Sequence, residues 1–372
     1  MDELNARRKQ IEAEIVEQIV GDVRRGKNRE FERVLVLAGE GWHHGVIGIA
    51  ASKIVERYDR PCFLISVEDG EARGSGRSVE GFSLHQALTA CSDCLTRFGG
   101  HTMAAGLSLA PADIPRFTEQ MRAYTKQNFA MMPARSLRID RVVSPEEVGV
   151  AAVKSLSVLE PFGRQNEPPL FAFKDVQIAG IYPIGGGKHL RLKLAGGGQS
   201  VFAVYFGMTA EQFPFTAGDF ADVAFSASVH VYAGEESVTI SIKDMRPSSL
   251  DQQSYLASRA VYEMLRRREK IPEGQRQDSI PTREETGAVY RCIKAAGVYP
   301  HGYDFLYTAL AGYGLSYCKV RLSVDILHEL RLVQIDEDRA RGFGWRRARR
   351  WPIWRLRGSC SWSRACRSMR FS

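Results

Sequence analysis

Two glycine-rich segments place a hydroxyl, a guanidinium and an imidazole in settings that suit phosphate binding. The first spans residues 72–78 and contains Ser75 and Arg77, separated by one glycine. A hydroxyl and a guanidinium two residues apart can hold one phosphate together, and glycine lets the backbone approach a ligand closely. The second spans residues 99–106 and places His101 directly after a glycine pair. Each segment predicts a phosphate-binding loop, although taken singly each pattern is more typical of a plain turn.

A third motif lies upstream and changes the interpretation of the other two. Residues 42–52 have the order Trp-His-x-Gly-Val-Ile-Gly-Ile-Ala-Ala-Ser and follow the apolar run 34–37. Taken in sequence order, the three motifs resemble the DHH-associated domain of the RecJ family of single-strand-specific 5′ exonucleases. The resemblance extends from about residue 30 to residue 128, and three ordered motifs make it specific.

The resemblance implies a role for each motif. It assigns binding of DNA or its 5′-phosphate to Ser75, Arg77, Arg73, Gly99, Gly100, Trp42 and His43. It also places His101 at the edge of the catalytic cleft, near the scissile phosphate. Without the motif, a half-buried histidine bonded to a backbone carbonyl would be the better interpretation.

The metal ligands that the family uses are not evident in this sequence. RecJ enzymes hold Mn²⁺ or Mg²⁺ mainly in an N-terminal domain with an Asp-His-His signature. Here the adjacent histidines His43 and His44 belong to the Trp-His motif, and the eight histidines show no ligand spacing beside paired carboxylates. We therefore assign no metal ligand and no cofactor to this chain, while the complete family enzyme is expected to use Mn²⁺ or Mg²⁺.

The chain is expected to be a multidomain protein that combines an α/β domain with a β-barrel. Strands alternating with helices predict a covered sheet in the first part, and short strands rich in Val, Ile, Phe and Tyr predict a small barrel in the second. The expected segments are a connecting helix (1–29), a mixed α/β DHH-associated domain (30–130), an oligonucleotide-binding (OB) fold (135–247), a mostly helical C-terminal domain (250–338) and an Arg- and Trp-rich tail (339–372).

The expected barrel carries its own family motif and a candidate DNA groove. Residues 159–171 resemble the RecJ motif Leu-Glu-Pro-Phe-Gly-x-Gly-Asn-x-x-Pro-x-Phe, with Gln165 in place of the second glycine. The basic residues Lys188, Arg191 and Lys193 together with the rings of Tyr182, Phe202, Tyr205 and Phe206 suit single-stranded DNA, because bases stack on rings while cations follow the phosphates. The alternative is that the rings belong to the core, which is the usual role of aromatic residues at alternate strand positions.

The C-terminal part has two open interpretations. Helices over 303–310 and 319–330, followed by a short strand at 332–335, give the outline of a winged helix. A helical packing or partner-docking module is the alternative. Thr282 and Glu285 predict a capping box at the start of another helix, which runs to Ala296.

The charge of the chain is concentrated at its C-terminal end. The net charge is +8, but residues 339–372 contain eleven arginines and no acidic residue, so the first 338 residues carry about −3. Contacts with a polyanion must therefore come from local clusters. For the tail, a frameshifted or disordered extension is favoured over an evolved nucleic-acid-binding arm.

The cysteines and the hydropathy pattern favour the cytoplasm. Seven cysteines stand at irregular spacing, with no signal peptide and no apolar run long enough to span a membrane. Cys91 and Cys94 form a lone Cys-x-x-Cys pair, for which free thiols are favoured over zinc.

Three functional hypotheses remain open. The first is a fragment of a RecJ-like 5′–3′ exonuclease of DNA repair and recombination, truncated at its N-terminus and inactive as an isolated chain. The second is a non-catalytic single-stranded-DNA-binding or repair-scaffold module, and the third is a phosphodiesterase fragment for short oligonucleotides. Expected partners are single-stranded DNA, a single-strand-binding protein and a separately encoded DHH domain, with no membrane.

Overall fold

The computed structural model describes residues 2–26, 29–133, 136–163, 166–232, 234–276, 278–296, 302–335 and 353–356. These residues form two compact units. The first unit draws on residues 1–135 and 259–279, whereas the second draws mainly on residues 136–258 and 280–335. The segment 250–338, predicted as one helical domain, is therefore divided between the two units.

The first unit is built on a mixed five-stranded sheet. Its strands are β1 (Leu35–Glu40), β2 (Cys62–Glu68), β3 (Glu71–Arg77), β4 (Arg97–Gly100) and β5 (Ala104–Leu109). Their spatial order is β1-β2-β3-β5-β4, in which β1 and β2 are parallel and the other neighbours are antiparallel. The helices of this unit include α1 (Asp2–Arg25), α2 (His44–Tyr58), α3 (Leu84–Ala90) and α4 (Ile114–Asn128).

Helices cover both faces of β1 and β2, because successive residues of these strands are apolar. Leu35 and Leu64 pack in one cluster with buried residues of α1 and α2, such as Ile19. Val36 and Phe63 point the other way and pack with residues of α3 and α4. The amphipathic N-terminal helix and the covered α/β sheet predicted from the sequence are thus both present.

The second unit contains a closed five-stranded barrel. Two short strands, β6 (Ser136–Ile139) and β7 (Arg141–Val142), and the helix α5 (Val150–Lys154) precede β8 (Phe171–Ile184), β9 (His189–Gly196), β10 (Gln199–Tyr205), β11 (Phe220–Tyr232) and β12 (Glu235–Pro247). The strands pair in the order β8-β9-β10-β12-β11, and pairing of β11 with β8 closes the barrel. Leu190, Leu192 and Leu194 are fully buried at alternate positions of β9. The predicted OB-type barrel is confirmed.

The C-terminal helices are α6 (Gln252–Arg266), α7 (Glu273–Arg276), α8 (Arg283–Ala296), α9 (Gly302–Ala309) and α10 (Tyr317–Glu329). The predicted capping box is present at α8: Glu285 N donates to Thr282 Oγ1 over 3.2 Å, and Thr282 N donates to Glu285 Oε2 over 2.7 Å. Among the described residues, no helix is both long and apolar enough to cross a membrane.

The strand predicted at 332–335 is wrong, and with it the outline of a winged helix. These residues form a turn followed by irregular chain, in which the Leu332 and Val333 amides donate to the Leu327 carbonyl oxygen. Val333 and Ile335 then pack against the apolar cluster of α8, α9 and α10. The apolar side chains that suggest a strand are therefore buried against helices instead of pairing in a sheet.

Part of the predicted tail has regular structure. Ile353–Leu356 forms β13, which pairs in parallel with β6. The rest of the segment 339–372 lies outside the described residues, as does Gln165 of the barrel motif.

Candidate nucleic-acid interface

The segment 72–78, predicted as a phosphate-binding loop, lies almost entirely in the strand β3, so its side chains alternate between the two faces of the sheet. Gly74 and Gly76 face the core: a Cβ on Gly76 would lie 2.7 Å from the Phe63 ring, and one on Gly74 would lie 2.9 Å from Leu107 Cγ. These glycines make room for core side chains and not for a ligand. The loop prediction is wrong because glycines in a closely packed strand give the same pattern as glycines in a binding turn.

Ser75 and Arg77 point to the opposite face of β3 and contact each other. Arg77 Nη1 donates to Ser75 Oγ over 3.1 Å and to the Gly76 carbonyl oxygen over 2.8 Å. Both side chains are half-buried, so the guanidinium is held in place and still reaches solvent. Because Ser75 Oγ accepts this bond, its hydroxyl hydrogen remains free to be donated to an anion.

A glycine of α2 makes this arrangement possible. A Cβ on Gly48 would lie 3.0 Å from Arg77 Nη2 and 3.2 Å from Ser75 Oγ. Glycine in the interior of a helix destabilises the helix by about 1 kcal/mol relative to alanine. Sequence reasoning did not assign Gly48 a role, although a glycine inside a helical pattern is the signal that points to such close packing.

The second motif forms a hairpin and not a continuous loop. Gly99 and Gly100 end β4, residues 101–103 form the turn, and the His101 amide donates to the Ala104 carbonyl oxygen over 2.8 Å. Gly100 has φ +143°, and a Cβ there would lie 2.4 Å from the same carbonyl oxygen, so this position requires glycine. The His101 side chain is exposed, which excludes the alternative of a half-buried histidine.

The register of the sheet places the two motifs next to each other. Ser75 pairs with Gly106, which pairs in turn with Gly99, and Arg77 pairs with Ala104. Directly paired residues point to the same face of a sheet. Gly99 and Gly106 are exposed, and none of the described atoms lies within 4 Å of a Cβ placed on Gly99. The candidate phosphate-binding pair therefore borders an open stretch of backbone.

Arg73 lies on this same face, two residues before Ser75. Its guanidinium forms a salt bridge with Glu71 at 2.6 Å, and both side chains are more than half exposed. Exposed pairs of this kind stabilise a fold little. Arg73 is therefore able to exchange Glu71 for a phosphate at low cost.

Trp42 and His43 have different environments. Trp42 is 3% exposed, its Nε1 donates to Gln18 Oε1 over 3.0 Å, and its ring occupies the space over Gly39. The prediction that Trp42 contacts DNA is therefore wrong, because the ring is a core side chain. His43 caps α2: its Nδ1 accepts a bond from the Gly45 amide over 3.0 Å, and the exposed ring leaves Nε2 directed to solvent as a donor.

Rings and cations lie on the outer face of the barrel. Along the strands, these residues alternate with residues that point into the barrel core. Tyr182, Phe202 and Phe206 are 47%, 44% and 57% exposed, whereas Tyr205 is only 3% exposed. Strand alternation explains the difference: Tyr205 points into the barrel, as its neighbours on either side point out. Three of the four predicted rings thus lie at the surface, and the fourth belongs to the core.

The predicted cations lie on the same face as the exposed rings. Arg191 pairs with Tyr182 on one side, and Lys193 pairs with Phe202 on the other. The Arg191 guanidinium lies 4.0 Å from the centre of the Phe202 ring, and the Tyr182 and Phe202 ring centres are 6.3 Å apart. Lys188 is exposed in the turn that joins β8 to β9. We call Tyr182, Arg191, Lys193, Phe202 and Phe206 the barrel face.

A divalent-metal centre does not fit the residues that the structure describes. In this part of the chain, no group of three or more His, Cys, Asp or Glu side chains could hold a metal ion.

Cys91 and Cys94 are free thiols in the core of the first unit. Burial, followed by the nearby Cys94 and Asp93, raises the pKa of Cys91 to about 12. The thiol is therefore protonated at neutral pH, and a protonated, buried thiol is neither a nucleophile nor a metal ligand.

Two domain families match the chain, one for the sheet and one for the barrel. The DHHA1 domain matches residues 31–127 and the RecJ OB domain matches residues 139–244. Together the two matches span more than half of the 372 residues. The chain belongs to the RecJ family. The barrel face is thus part of a RecJ OB domain, and Ser75 and Arg77 are part of a DHHA1 domain.

Relatives with the same domains are RecJ exonucleases. The single-stranded-DNA-specific exonuclease RecJ of Bacillus subtilis is 28% identical over 253 residues, which cover 66% of this chain and 31% of that protein. Thermus thermophilus RecJ is 31% identical over 193 residues, or 52% of this chain and 27% of that protein. Escherichia coli RecJ is 28% identical over 259 residues, which cover 66% of this chain and 44% of that protein. The chain thus spans less than half the length of these relatives.

Solved structures of RecJ confirm the shared fold. The crystal structure of Thermus thermophilus RecJ in complex with Mg²⁺ matches with a TM-score of 0.54 at 27% identity, covering 67% of this chain and 37% of that one. The structure of the same protein with Mn²⁺ also matches with a TM-score of 0.54. This match covers 67% of this chain and 35% of that one. Bound divalent metal is therefore a property of a RecJ relative with this fold.

Proposed function

We propose that this chain supplies DNA and 5′-phosphate binding to a RecJ-type 5′–3′ exonuclease acting on single-stranded DNA. The observation that carries the proposal is the barrel face, where three large rings and two cations point away from the barrel core. Exposed rings give stacking surfaces for bases, and the cations between them attract the phosphates. On the DHHA1 sheet, Ser75 and Arg77 form a preformed pair of donors for the terminal phosphate.

The test of the barrel face is binding of a fluorescent oligothymidylate, followed by anisotropy. We expect Phe202→Ala to weaken binding by about 1–3 kcal/mol, the contribution of one stacked base. Replacing both Arg191 and Lys193 by alanine is expected to weaken binding and to lower the salt dependence by about 0.7 per phosphate contact. Tyr313→Ala and Lys154→Ala are matched controls, because these exposed residues lie elsewhere in the same unit.

One outcome would exclude binding of single-stranded DNA by the barrel face. If Phe202→Ala and the double variant bind the oligonucleotide as tightly as the unchanged protein, the face does not bind single strands. Circular dichroism of each variant shows whether the barrel is folded. We expect it to be folded, because none of the replaced side chains belongs to the buried core.

We call Ser75 and Arg77, together with the adjoining glycines Gly99 and Gly100, the sheet site. Its test is the preference for a 5′-phosphate. We expect the protein to bind a 5′-phosphorylated oligonucleotide more tightly than the unphosphorylated strand, and Arg77→Ala to remove the preference. Arg116→Ala is the control, because this exposed arginine of the same unit pairs with Asp93. Equal affinity for both strands in the unchanged protein would contradict the phosphate role.

We also propose that cleavage uses Mn²⁺ or Mg²⁺ held by ligands other than the described residues, in a DHH domain that acts together with this chain. A single-strand-binding protein is a further proposed partner. When bound, the metal would activate the attacking water and stabilise the leaving oxygen. The purified chain is expected to release no nucleotides from labelled single strands with MnCl₂, and release that depends on Mn²⁺ would overturn this part of the proposal.

A further inference from the structure

A second row of polar side chains lies on the same sheet face as Ser75 and Arg77. Arg97 of β4 pairs with Ser108 of β5, and Ser108 pairs on its other side with Arg73 of β3. The residues that alternate with them in these strands pack in the core. The three polar side chains therefore point outwards together.

This row has the same chemistry as the Ser75 and Arg77 pair. Arg97 is exposed and Ser108 is half-buried, so a guanidinium and a hydroxyl lie side by side. Among the salt bridges of the described residues, none involves Arg97, whereas Arg73 is paired with Glu71. Arg97 is thus the cation of this row whose charge is available to an anion without breaking an existing pair.

The spacing of the two rows suits consecutive phosphates. Arg97 and Ser108 lie two residues along their strands from Gly99 and Gly106, a distance of about 7 Å. Gly99 and Gly106 lie in the same row as Ser75 and leave the backbone bare beside it, so the sugar of a bound nucleotide has room there. One nucleotide of an extended strand therefore fits between a phosphate on Ser75 and Arg77 and a phosphate on the Arg97 row.

We propose that Arg97 and Ser108 bind the second phosphate of a strand whose 5′-phosphate lies on Ser75 and Arg77. This inference rests on the proposed function of the sheet site. It makes the ligand an oligonucleotide with at least two consecutive phosphates and not a mononucleotide. Arg97 would also fix the direction of the strand, because the terminal phosphate and the second phosphate then occupy different rows.

The experiment compares two competitors for a labelled, 5′-phosphorylated oligothymidylate. Thymidine 5′-monophosphate offers one phosphate, and the 5′-phosphorylated thymidine dinucleotide offers two. The full chain carries Phe202→Ala and Arg191→Ala throughout, so that the barrel face contributes little. Arg97→Ala, Arg77→Ala and the control Arg116→Ala are each added to this background, and thermal unfolding confirms that each variant is folded.

We expect the dinucleotide to compete about tenfold better than the mononucleotide, the effect of one charge-assisted hydrogen bond. Arg97→Ala should remove this advantage without changing the affinity for the mononucleotide. Arg77→Ala should weaken the binding of both competitors. If Arg97→Ala keeps the advantage while Arg77→Ala weakens both, the second-phosphate site is wrong and the proposed function stands. If Arg77→Ala changes neither competitor, the sheet site of the proposed function fails as well.

Discussion

Glycines in and around the sheet site have different roles, which depend on what an added Cβ would meet. Gly76 leaves room for the core ring of Phe63, and Gly48 lets α2 approach Arg77. Gly100 has a backbone conformation that other residues rarely adopt. Gly99 alone of these four has open space around it. Open space at a position without backbone strain favours a role in ligand approach.

This distinction predicts opposite results for neighbouring substitutions. Gly100→Ala is expected to destabilise the protein by about 1–3 kcal/mol, because alanine is strained at φ +143° and its Cβ meets the Ala104 carbonyl oxygen. Gly99→Ala, the matched control, is expected to change the free energy of unfolding by less than about 0.5 kcal/mol. Urea unfolding of both variants measures the difference, and equal losses of stability would contradict it.

Residue types and spacing were enough to select Ser75, Arg77 and the outward cations of the barrel as candidates. They were not enough to place Trp42 or Tyr205, which are buried. Burial depends on which face of an element a residue occupies, and a one-residue shift of register reverses that face. Family motifs contain core residues as well as ligand-binding ones, so a motif position alone does not distinguish them.

At the scale of elements, the second half of α6 is held to the DHHA1 sheet by buried charge. Arg60 and Glu263 are almost fully buried and form a salt bridge at 2.5 Å. Burial lowers the pKa of Arg60, an effect that the Glu263 carboxylate partly offsets. Arg33 and Glu269 form a second pair in the same unit.

Removing one charge of the buried pair is expected to be costly. Glu263→Gln leaves the Arg60 guanidinium buried without its carboxylate, which destabilises proteins by about 3–5 kcal/mol. Glu119→Gln is the control, because Glu119 is 77% exposed and its pair with Arg122 at 3.6 Å contributes little. Thermal unfolding compares the two variants, and the expectation fails if both melt alike.

The periodicity of apolar residues predicted most helices and strands, including α4 and the barrel strands. It did not predict the structure of two segments. The glycine-rich segment at 72–78 became a strand because its neighbours β2 and β5 pair with both of its edges. The apolar segment at 332–335 became a turn because helices bury its side chains. In both cases contacts distant in sequence decided the local structure, and local patterns do not contain that information.

At the scale of the whole molecule, the positive charge is concentrated at one end of the sequence. The eleven arginines after residue 338 account for the positive net charge, so they are expected to add affinity for any polyanion without sequence or end preference. We therefore expect binding by the tail to hide the contribution of the two domains at low salt.

Replacing Arg346, Arg347, Arg349 and Arg350 by serine tests this expectation and leaves the strand 353–356 unchanged. Binding to single strands should weaken and lose part of its salt dependence, by about 0.7 per phosphate contact removed. The preference for a 5′-phosphate should persist, because it depends on Arg77. Titrations at two salt concentrations with and without the 5′-phosphate provide the measurement, and loss of the preference would assign it to the tail.

The central position of β3 in its sheet has a consequence for the proposed phosphate site. Ser75 and Arg77 lie in a strand that is paired along both edges, so their amide hydrogens should exchange slowly with solvent even when no DNA is present. A binding site on such a ladder is preorganised: the backbone loses no conformational entropy when a phosphate arrives. Association is then limited by encounter and desolvation, and not by the folding of a loop around the strand end.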